Sequence, residues 1–576
     1  MSEEKRVSRV ERIVECDFLI IGSGAAAMSA ALTASVNGLR VLVLEKDENY
    51  GGATARSGGC VWIPNSPHAA SMGFADSREE AHSFLRHEAG ARFDPETVSA
   101  FLDNGPEMLS FVEKHSPVRF AFLAGFPDYH CDSPGGSRTG RALYPESWDA
   151  EPLGREVHRL REPLQTGTIL GMQIGVNEVG YYTTANRKLN SALYVAKCVA
   201  RRIRDQFRGG RTFRLAAGNA LIGGLWSAAF KLGARLWTSS PARALILSEG
   251  QVKGALVDSP EGLVEVRARW GVMIATGGFP HDSAVRAKLF PNGAKDPEVW
   301  NMFPYGNSGD GIRMAQAIGA HFETDTKSPI AFSPIMRLRN VEGALETMPA
   351  FFNRGMPGVI AVTRNGKRFC NEGRSYHDFC VNLLKVTPDG EEPVAWLIFD
   401  HRVLLRYGMG PIYPWPMPYK QHIRSGFLKR GSTFAELARE AGLNPENLEA
   451  TVMRYNANAR FGDDPEFQRG SNAFDVANGD PEQGPNPCIG PLDKPPYYAI
   501  RVFAGCVGTF AGLQTDGHGR VLDQSRTPIS GLYAGGNDML SITGGDYVAG
   551  GCTLGPGMTF GYIVGQHVSA RSQQLP

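Results

Sequence analysis

The sequence predicts an α/β fold: a doubly wound domain that is left and resumed along the chain, with an α+β insertion between its parts. Three observations predict it. A strand of buried character, Cys16 to Ile21, runs into Gly22-Ser23-Gly24-Ala25-Ala26-Ala27 and a helix of small residues. A second apolar run, Leu39 to Leu44, ends in Glu45, at about the 20-residue spacing at which an acid can reach a ribose. β-rich segments that end in glycine turns then recur at 234–278 and at 531–537.

The first element is justified by what a pyrophosphate needs. Gly22 allows the tight turn, Gly24 lets the backbone approach the phosphate, and Ala27 keeps helix and sheet close. Free N–H groups and the helix dipole then face the anion. Glu45 can bind both ribose hydroxyls. Strand, turn, helix, strand and acid in this order form a complete Rossmann-like unit for a dinucleotide. The loop Gly51-Gly52-Ala53-Thr54-Ala55-Arg56-Ser57-Gly58-Gly59 adds a second cradle of glycines and small hydroxyls, suited to a flat isoalloxazine ring and superfluous for a nicotinamide. FAD is the expected cofactor, and the fold class becomes a discontinuous Rossmann-like FAD-binding domain with an inserted α+β catalytic or capping domain.

The later elements set the domain limits. A helix from Gly218 to Leu232 precedes strands at Ala234 to Thr238, Ala244 to Leu247, Val264 to Arg269 and Gly271 to Ala275, which end in Thr276-Gly277-Gly278. Asn307 to Gly311 opens a helix towards Gly319. The run Gly531 to Asn537 reads as a last buried strand entering a glycine turn, and Thr553 to Val564 as a helix whose start points at the flavin. Between these parts, Thr433 and Glu436 form a capping box, Asn444 caps a helix with Pro445 at its first position, and Leu448, Val452 and Tyr455 recur at helical spacing. Pro411 to Pro418 reads as an extended loop. The expected division is 1–325 for the first part of the FAD domain, 326–484 for the capping domain and 485–576 for the second part. An insertion at about 120–205, with Phe120, Phe122, Phe126, Tyr129 and a helix through Leu193 to Ile203, is read as part of a lid.

Composition narrows the function classes. Glycine supplies 68 of 576 residues, roughly 12% where ~7% is usual, as expected of backbone packed against a large cofactor. Sixty basic and 59 acidic residues leave a formal charge of +1, so no field attracts nucleic acid or an anionic membrane. Nine dispersed cysteines without a Cys-x-x-Cys pair suit reduced thiols in a cytoplasmic protein and no metal or iron–sulfur site. The start, MSEEKRVSRVERIVE, lacks an apolar signal core, and no transmembrane span is expected. A hydrophobic substrate leaves peripheral membrane contact open.

With these residues in place, the chain resembles the flavoprotein family that contains 3-oxosteroid 1-dehydrogenases and soluble fumarate reductases. The resemblance is carried by the Gly51 to Gly59 loop with Trp62-Ile63-Pro64-Asn65, Pro106-Glu107-Met108-Leu109, Pro127-Asp128-Tyr129-His130, Gly366-Lys367-Arg368-Phe369-x-Asn371-Glu372, Tyr376, and Tyr547-x-x-x-Gly551 followed by Thr553-Leu554-Gly555-Pro556. It implies α,β-desaturation of a hydrophobic cyclic ketone, most simply a 3-ketosteroid in steroid metabolism and degradation, with hydride transfer to flavin N5 of a non-covalent FAD. Tyr547 and the Gly551 N–H match the donors to the ketone oxygen, Tyr376 the base for the α-proton, and Tyr129 a neighbour that assists it. Around the cofactor the motif and the resemblance together mark Gly22, Ser23, Gly24, Ala25 and Ala26, then Glu45 and Lys46. They also mark Gly52, Ala53, Thr54, Ser57, Gly58 and Gly59, as well as Ala242, Ala275, Thr276 and Gly277, and finally Gly536, Asn537, Thr553 and Leu554. His130 and His377, placed beside two tyrosines on what read as strands, are given supporting roles.

Two departures from the family pattern keep alternatives open. Val548-Ala549 replaces a frequent Pro-Gly after the closing tyrosine, and Phe510-Ala511 interrupts a small-residue run. A 4-ene-forming ketosteroid dehydrogenase or an enzyme for a smaller cyclic ketone also fits. Fumarate reduction would need Arg and His for two carboxylates, with Arg368 and Arg374 as candidates. An electron acceptor, whether a quinone, oxygen or another flavoprotein, completes the cycle.

Overall fold

The computed structural model describes residues 10–164, 168–169, 171–185, 188–209, 211–290, 302–339, 345–351 and 353–574. The reading of the chain's start falls largely on residues 1–9, outside the described residues.

Phe18 to Ile21 and Val41–Leu44 are apolar and buried at consecutive positions, the pattern of parallel strands covered on both faces. The main sheet runs Arg235–Trp237, Val41–Leu44, Arg12–Ile21, Gly262–Ile274, Gln251–Ser259, Ala242–Ser248. Gly262–Ile274 is long enough for two neighbours on one edge. It pairs antiparallel with Gln251–Ser259 up to Arg267, and parallel with Pro528–Ala534 from Val272 onward. The three separated pieces of chain therefore share one sheet. Arg12–Ile21, Gly262–Ile274 and Pro528–Ala534 are parallel, so the turns at Gly22, Thr276 and Gly535 all leave from carboxyl ends, where open α/β sheets bind ligands.

On one face, helix Ala25–Val36 crosses the carboxyl-terminal helix Leu554–Gln574 at very short range. A Cβ on Gly561 would sit 2.3 Å from the Ala26 carbonyl oxygen, and the Ser29 hydroxyl donates to the Met558 carbonyl at 2.8 Å. The last helix thus runs ten residues beyond the Val564 expected from sequence.

A second, antiparallel sheet has the order Leu345–Pro349, Ile330–Arg339, Tyr497–Thr509, Val394–Asp400, Val359–Val362, with Lys429–Gly431 beside Tyr497–Thr509. Its central strand, Tyr497–Thr509, lies past residue 484, where the sequence reading returned the chain to the cofactor part. Helix Tyr376–Val386 packs on Ile330–Arg339. Helices Phe434–Ala441 and Pro445–Ala459 bury Leu437, Leu448, Val452 and Tyr455 against Ile360, Val362 and Trp396. Thr433 and Asn444 accept the first-turn N–H groups of Glu436 and Asn447. The Glu436 carboxylate turns back to the N–H of Ser432, one residue before the position a full capping box uses.

Inside this unit Arg368 is fully paired. It donates to Glu372 at 2.7 and 2.9 Å and to Asp464 at 2.7 and 2.8 Å, and all three side chains are at most 3% exposed. Removing one partner of such a cluster leaves uncompensated charge in a dry interior. Arg368→Met is expected to lower stability by about 3–5 kcal/mol in denaturant unfolding. A loss below ~1 kcal/mol would contradict the pairing.

Candidate active site

One continuous cavity runs between the two sheets, and it is lined by the 21 positions marked for the cofactor and by Tyr129, Tyr376, Tyr547 and Gly551, while Arg368, Arg374, His130 and His377 stand outside it. At its first end Gly22 has φ +109°, and a Cβ there would lie 2.0 Å from the Ala275 carbonyl oxygen, so only glycine makes this turn. Gly24 is the N-cap of helix Ala25–Val36 and has no side chain to bond its first N–H groups, and no acidic side chain stands in the first turn. The Ala25 N–H donates to the Thr54 hydroxyl at 3.2 Å, which ties the second cradle to the first. The helix start therefore presents its dipole to the cavity, as an anionic phosphate requires.

Glu45 is buried, hydrogen-bonded to the Ser23 hydroxyl and to the Asp47 N–H, and burial raises its pKa. Its carboxylate lines the cavity beside the glycine turn, where ribose hydroxyls can supply further donors. Lys46 is held by Ser308 and Asp310. The far wall is made by Thr276 and Gly277, which donate to the Asp538 carboxylate at 2.8 Å each, while Asn307 donates to the Gly277 carbonyl at 3.0 Å. Asp538 is buried, with no cation paired to it among the described residues, and its pKa is pushed up to about 6 by burial. It escaped the sequence reading because nothing local distinguishes it from the other acids. These donors, glycines and the buried acid suit the diphosphate and ribose of FAD.

At the other end three phenols meet. The ring centroids lie 5.4 Å apart for Tyr129 and Tyr376, 4.9 Å for Tyr376 and Tyr547, and 5.9 Å for Tyr129 and Tyr547. Tyr129 comes from a loop fixed by its N–H to the Val548 carbonyl at 2.8 Å, and so is stitched directly to the segment that carries Tyr547. Tyr376 begins the helix Tyr376–Val386, capped by the Ser375 hydroxyl. Tyr376 and His377 are therefore on a helix and not on a strand, and both are buried because this helix end faces inward. Tyr129 and His130 lie in a loop. His377 accepts the Phe332 N–H on Nδ1 at 3.0 Å, and burial lowers its pKa.

Gly551 makes the tight corner at this end. Its φ is +91°, and a Cβ would stand 2.7 Å from the Trp62 nitrogen. The preceding Gly550 leaves room for Tyr129, whose hydroxyl would lie 3.3 Å from any Cβ added there. Phe351 packs on Tyr376 at 4.7 Å, Phe474 on Tyr129 at 4.5 Å, and Phe510 on Tyr547 at 6.1 Å between centroids. Cys60, Tyr144, Phe351 and Val507 line the cavity without having been singled out, and only the place of Cys60 just before Val61-Trp62 could have signalled one of them. Burial, with the neighbouring hydroxyls adding repulsion between phenolates, raises Tyr129 and Tyr376 well above the usual phenol range; burial likewise raises Tyr547. The three are neutral phenols at neutral pH.

Comparison with known proteins agrees with this geometry. The family model described as FAD binding domain matches residues 17–554. A 4-oxocyclohex-2-ene-1-carboxylate 5-dehydrogenase of Sinomonas cyclohexanicum is 36% identical over 561 residues, 97% of this chain and 94% of that protein. A 3-oxosteroid 1-dehydrogenase of Mycobacterium tuberculosis is 36% identical over 567 residues, 97% and 99% of the two chains. The crystal structure of 3-ketosteroid delta1-dehydrogenase from Sterolibacterium denitrificans in complex with 1,4-androstadiene-3,17-dione superposes with a TM-score of 0.89 at 34% identity, covering 97% of this chain and 100% of that one.

Two outcomes follow from the cradle. Gly22→Ala is expected to abolish FAD retention, read as loss of flavin absorbance after gel filtration, and a yellow variant would contradict the turn. Because the folded Asp538 holds its proton to about pH 6, the native state binds more protons than the unfolded chain between about pH 4 and 6, and this carboxyl costs stability as pH rises through that window. The stability of Asp538→Asn relative to the parent should rise over the same window and level off above it. A pH-independent difference would contradict the raised pKa.

Proposed function

Because this chain belongs to the FAD-binding domain family of flavoproteins and is an FAD-dependent oxidoreductase acting on CH–CH bonds, we propose that it introduces a C=C bond beside the carbonyl of a hydrophobic cyclic ketone, with a 3-ketosteroid as the leading substrate. The observation that carries this reading is the meeting of Tyr129, Tyr376 and Tyr547 with the Gly551 corner at the end of a cofactor cavity walled by Phe351 and Val507. Relatives of equal identity act on a 3-oxosteroid in one case and on an oxocyclohexene carboxylate in the other, and a ring ketone is common to both.

FAD, when bound, supplies the acceptor for the hydride that leaves the carbon next to the one deprotonated. The chain's own residues do the rest. The apolar walls exclude water, which strengthens each polar contact inside. The Tyr547 hydroxyl and the Gly551 N–H hold the ketone oxygen and favour the enolate by facing the charge that develops there. Tyr547 can do this because burial keeps it a phenol and a donor. Tyr376 takes the α-proton. For this it must first lose its own hydroxyl proton, which passes to the adjacent Tyr129 oxygen as Tyr129 releases its own proton to solvent, so that one proton leaves the recess for the one taken from carbon.

The capping role falls to the second sheet with its helices, including Tyr497–Thr509, and the FAD is held non-covalently, since the Gly51 to Gly59 loop contains no histidine. All nine cysteines are free and, among the described residues, no helix is long and apolar enough to cross a membrane; a cytoplasmic enzyme is the reading these observations support. Reduction of a dicarboxylate is disfavoured because Arg368 is consumed by Glu372 and Asp464, and neither Arg368 nor Arg374 lines the cavity.

Anaerobic mixing of the yellow protein with a saturated 3-ketosteroid, a monocyclic ketone and succinate tests the reading. Bleaching by a ketone is expected, and bleaching by succinate alone would refute it. Tyr547→Phe should keep its FAD and lose on the order of 10²–10³ in kcat, the usual cost of one oxyanion donor. Turnover at the parent rate would remove Tyr547 from the ketone oxygen.

A further inference from the structure

Immediately outside the tyrosine cluster lies a group of charges that the chemistry above does not use. His130 Nδ1 is 2.8 Å from Glu88 Oε2, and His130 Nε2 is 3.1 Å from Asp378 Oδ2. A carboxylate accepts hydrogen bonds and donates none, so an imidazole with a carboxylate on each ring nitrogen carries a proton on both and is an imidazolium. Asp546 faces the same site: side-chain polar atoms of Glu88, His130 and Asp546 lie within 4.8 Å of one another. Lys327 pairs with Asp546 at 3.2 Å, and Asp546 accepts the Tyr547 N–H at 2.9 Å. Ser133 and His377 complete the polar surroundings. Glu88 is 6% exposed, His130 17% and Asp378 27%.

The placement along the chain is what gives this cluster meaning. His130 follows Tyr129, Asp378 stands two residues after Tyr376 on the first turn of the same helix, and Asp546 precedes Tyr547. Each of the three tyrosine-bearing segments contributes one charged member. Glu88, near the end of helix Arg78–Ala89, anchors the group to the FAD-domain side. We propose that the His130 imidazolium is a positioning residue, a charged clamp that ties the loop of Tyr129 to the helix of Tyr376 and, through Asp546, to the segment of Tyr547, and so sets the spacing of the three phenols. This rests on the desaturase reading for its consequence in catalysis, but not for its chemistry.

The energetics have a definite sign. Burial by itself would lower the His130 pKa, yet Asp378 and Glu88 raise it well above the usual imidazole value, and Asp378 is in turn held down to about 2 against its own burial. The stabilisation is present in full below the pKa of an unfolded histidine and is lost as pH rises through the raised folded value. The clamp therefore persists at a pH where a free histidine has already lost its proton, and loosens as pH rises through the raised value. A phenol displaced by a fraction of its contact distance is costly, because geometry errors of about 1 Å can cost 10²-fold in rate.

The test uses the isosteric Asp378→Asn, which keeps the helix and removes one charge, on FAD-loaded protein. Histidine-selective ¹⁵N labelling, with His130→Gln to assign the signal, should show both ring nitrogens of His130 still protonated above the pH at which a free histidine titrates, and Asp378→Asn should move that titration to lower pH. The same variant should bleach with a cyclic ketone about tenfold more slowly, with KM within about twofold of the parent and the flavin spectrum unchanged. His130→Arg, which keeps N–H donors and the charge, should bleach faster than His130→Gln. A neutral His130 near pH 7, or Asp378→Asn bleaching at the parent rate, overturns the clamp. If the parent bleaches with no ring ketone, the desaturase reading fails alone, since the histidine titration is measured without substrate.

Discussion

Three phenol hydroxyls are buried together in an apolar recess, and the rest of the molecule is arranged to make that possible. A buried hydroxyl without a partner costs free energy, and three held within ring-contact distance from distant parts of the chain cost ordering entropy as well. The structure meets the demand with small, specific devices. Tyr129 is fixed by a main-chain bond to Val548, Tyr376 by a serine-capped helix end, and Tyr547 by a corner that only Gly551 can turn. The two sheets then serve as walls, one holding the cofactor cradle and the other closing over the recess.

Electrostatically the site has two neighbouring zones with opposite rules. Inside the recess charge is suppressed: burial keeps the phenols protonated, so hydroxyl donors are available at neutral pH without a cation. Just outside, charge is concentrated, with an imidazolium between two carboxylates and a third carboxylate alongside. Keeping the ions on the chain segments that bear the tyrosines, but off the cavity wall, lets them fix geometry without putting net charge beside an apolar substrate. The same separation is seen at Arg368, whose full pairing inside the cap leaves nothing to offer a dicarboxylate.

How far all this is legible in the sequence depends on range. The Gly22 turn, the strand before it and Glu45 are legible because the whole argument lies within one βαβ unit. The Thr433 and Asn444 caps are legible for the same reason. Tyr497–Thr509 was not assigned to the capping sheet, because an apolar strand carries no mark of the partners it will pair with across 167 residues of intervening chain, such as Ile335 opposite Phe503. His377 was read on a strand although Ser375 with Asp378 forms a recognisable helix start, a local signal that was available. Tyr144 and Phe351 reach the cavity, and Asp538 the back of its wall at Thr276 and Gly277, only through tertiary packing. The bridge from Glu88 through His130 to Asp378 spans three elements, so no spacing rule could have revealed it.

The central claim is that a phenol removes a proton from the carbon next to a ring carbonyl while hydride leaves the neighbouring carbon. It is tested most directly by anaerobic single-turnover bleaching with a cyclic ketone carrying deuterium at the α-carbon, in the parent and in Tyr376→Phe. The account predicts a primary isotope effect in the parent and near-complete loss of bleaching in the variant with FAD still bound. Bleaching of Tyr376→Phe at the parent rate, with no isotope effect in either protein, would contradict it.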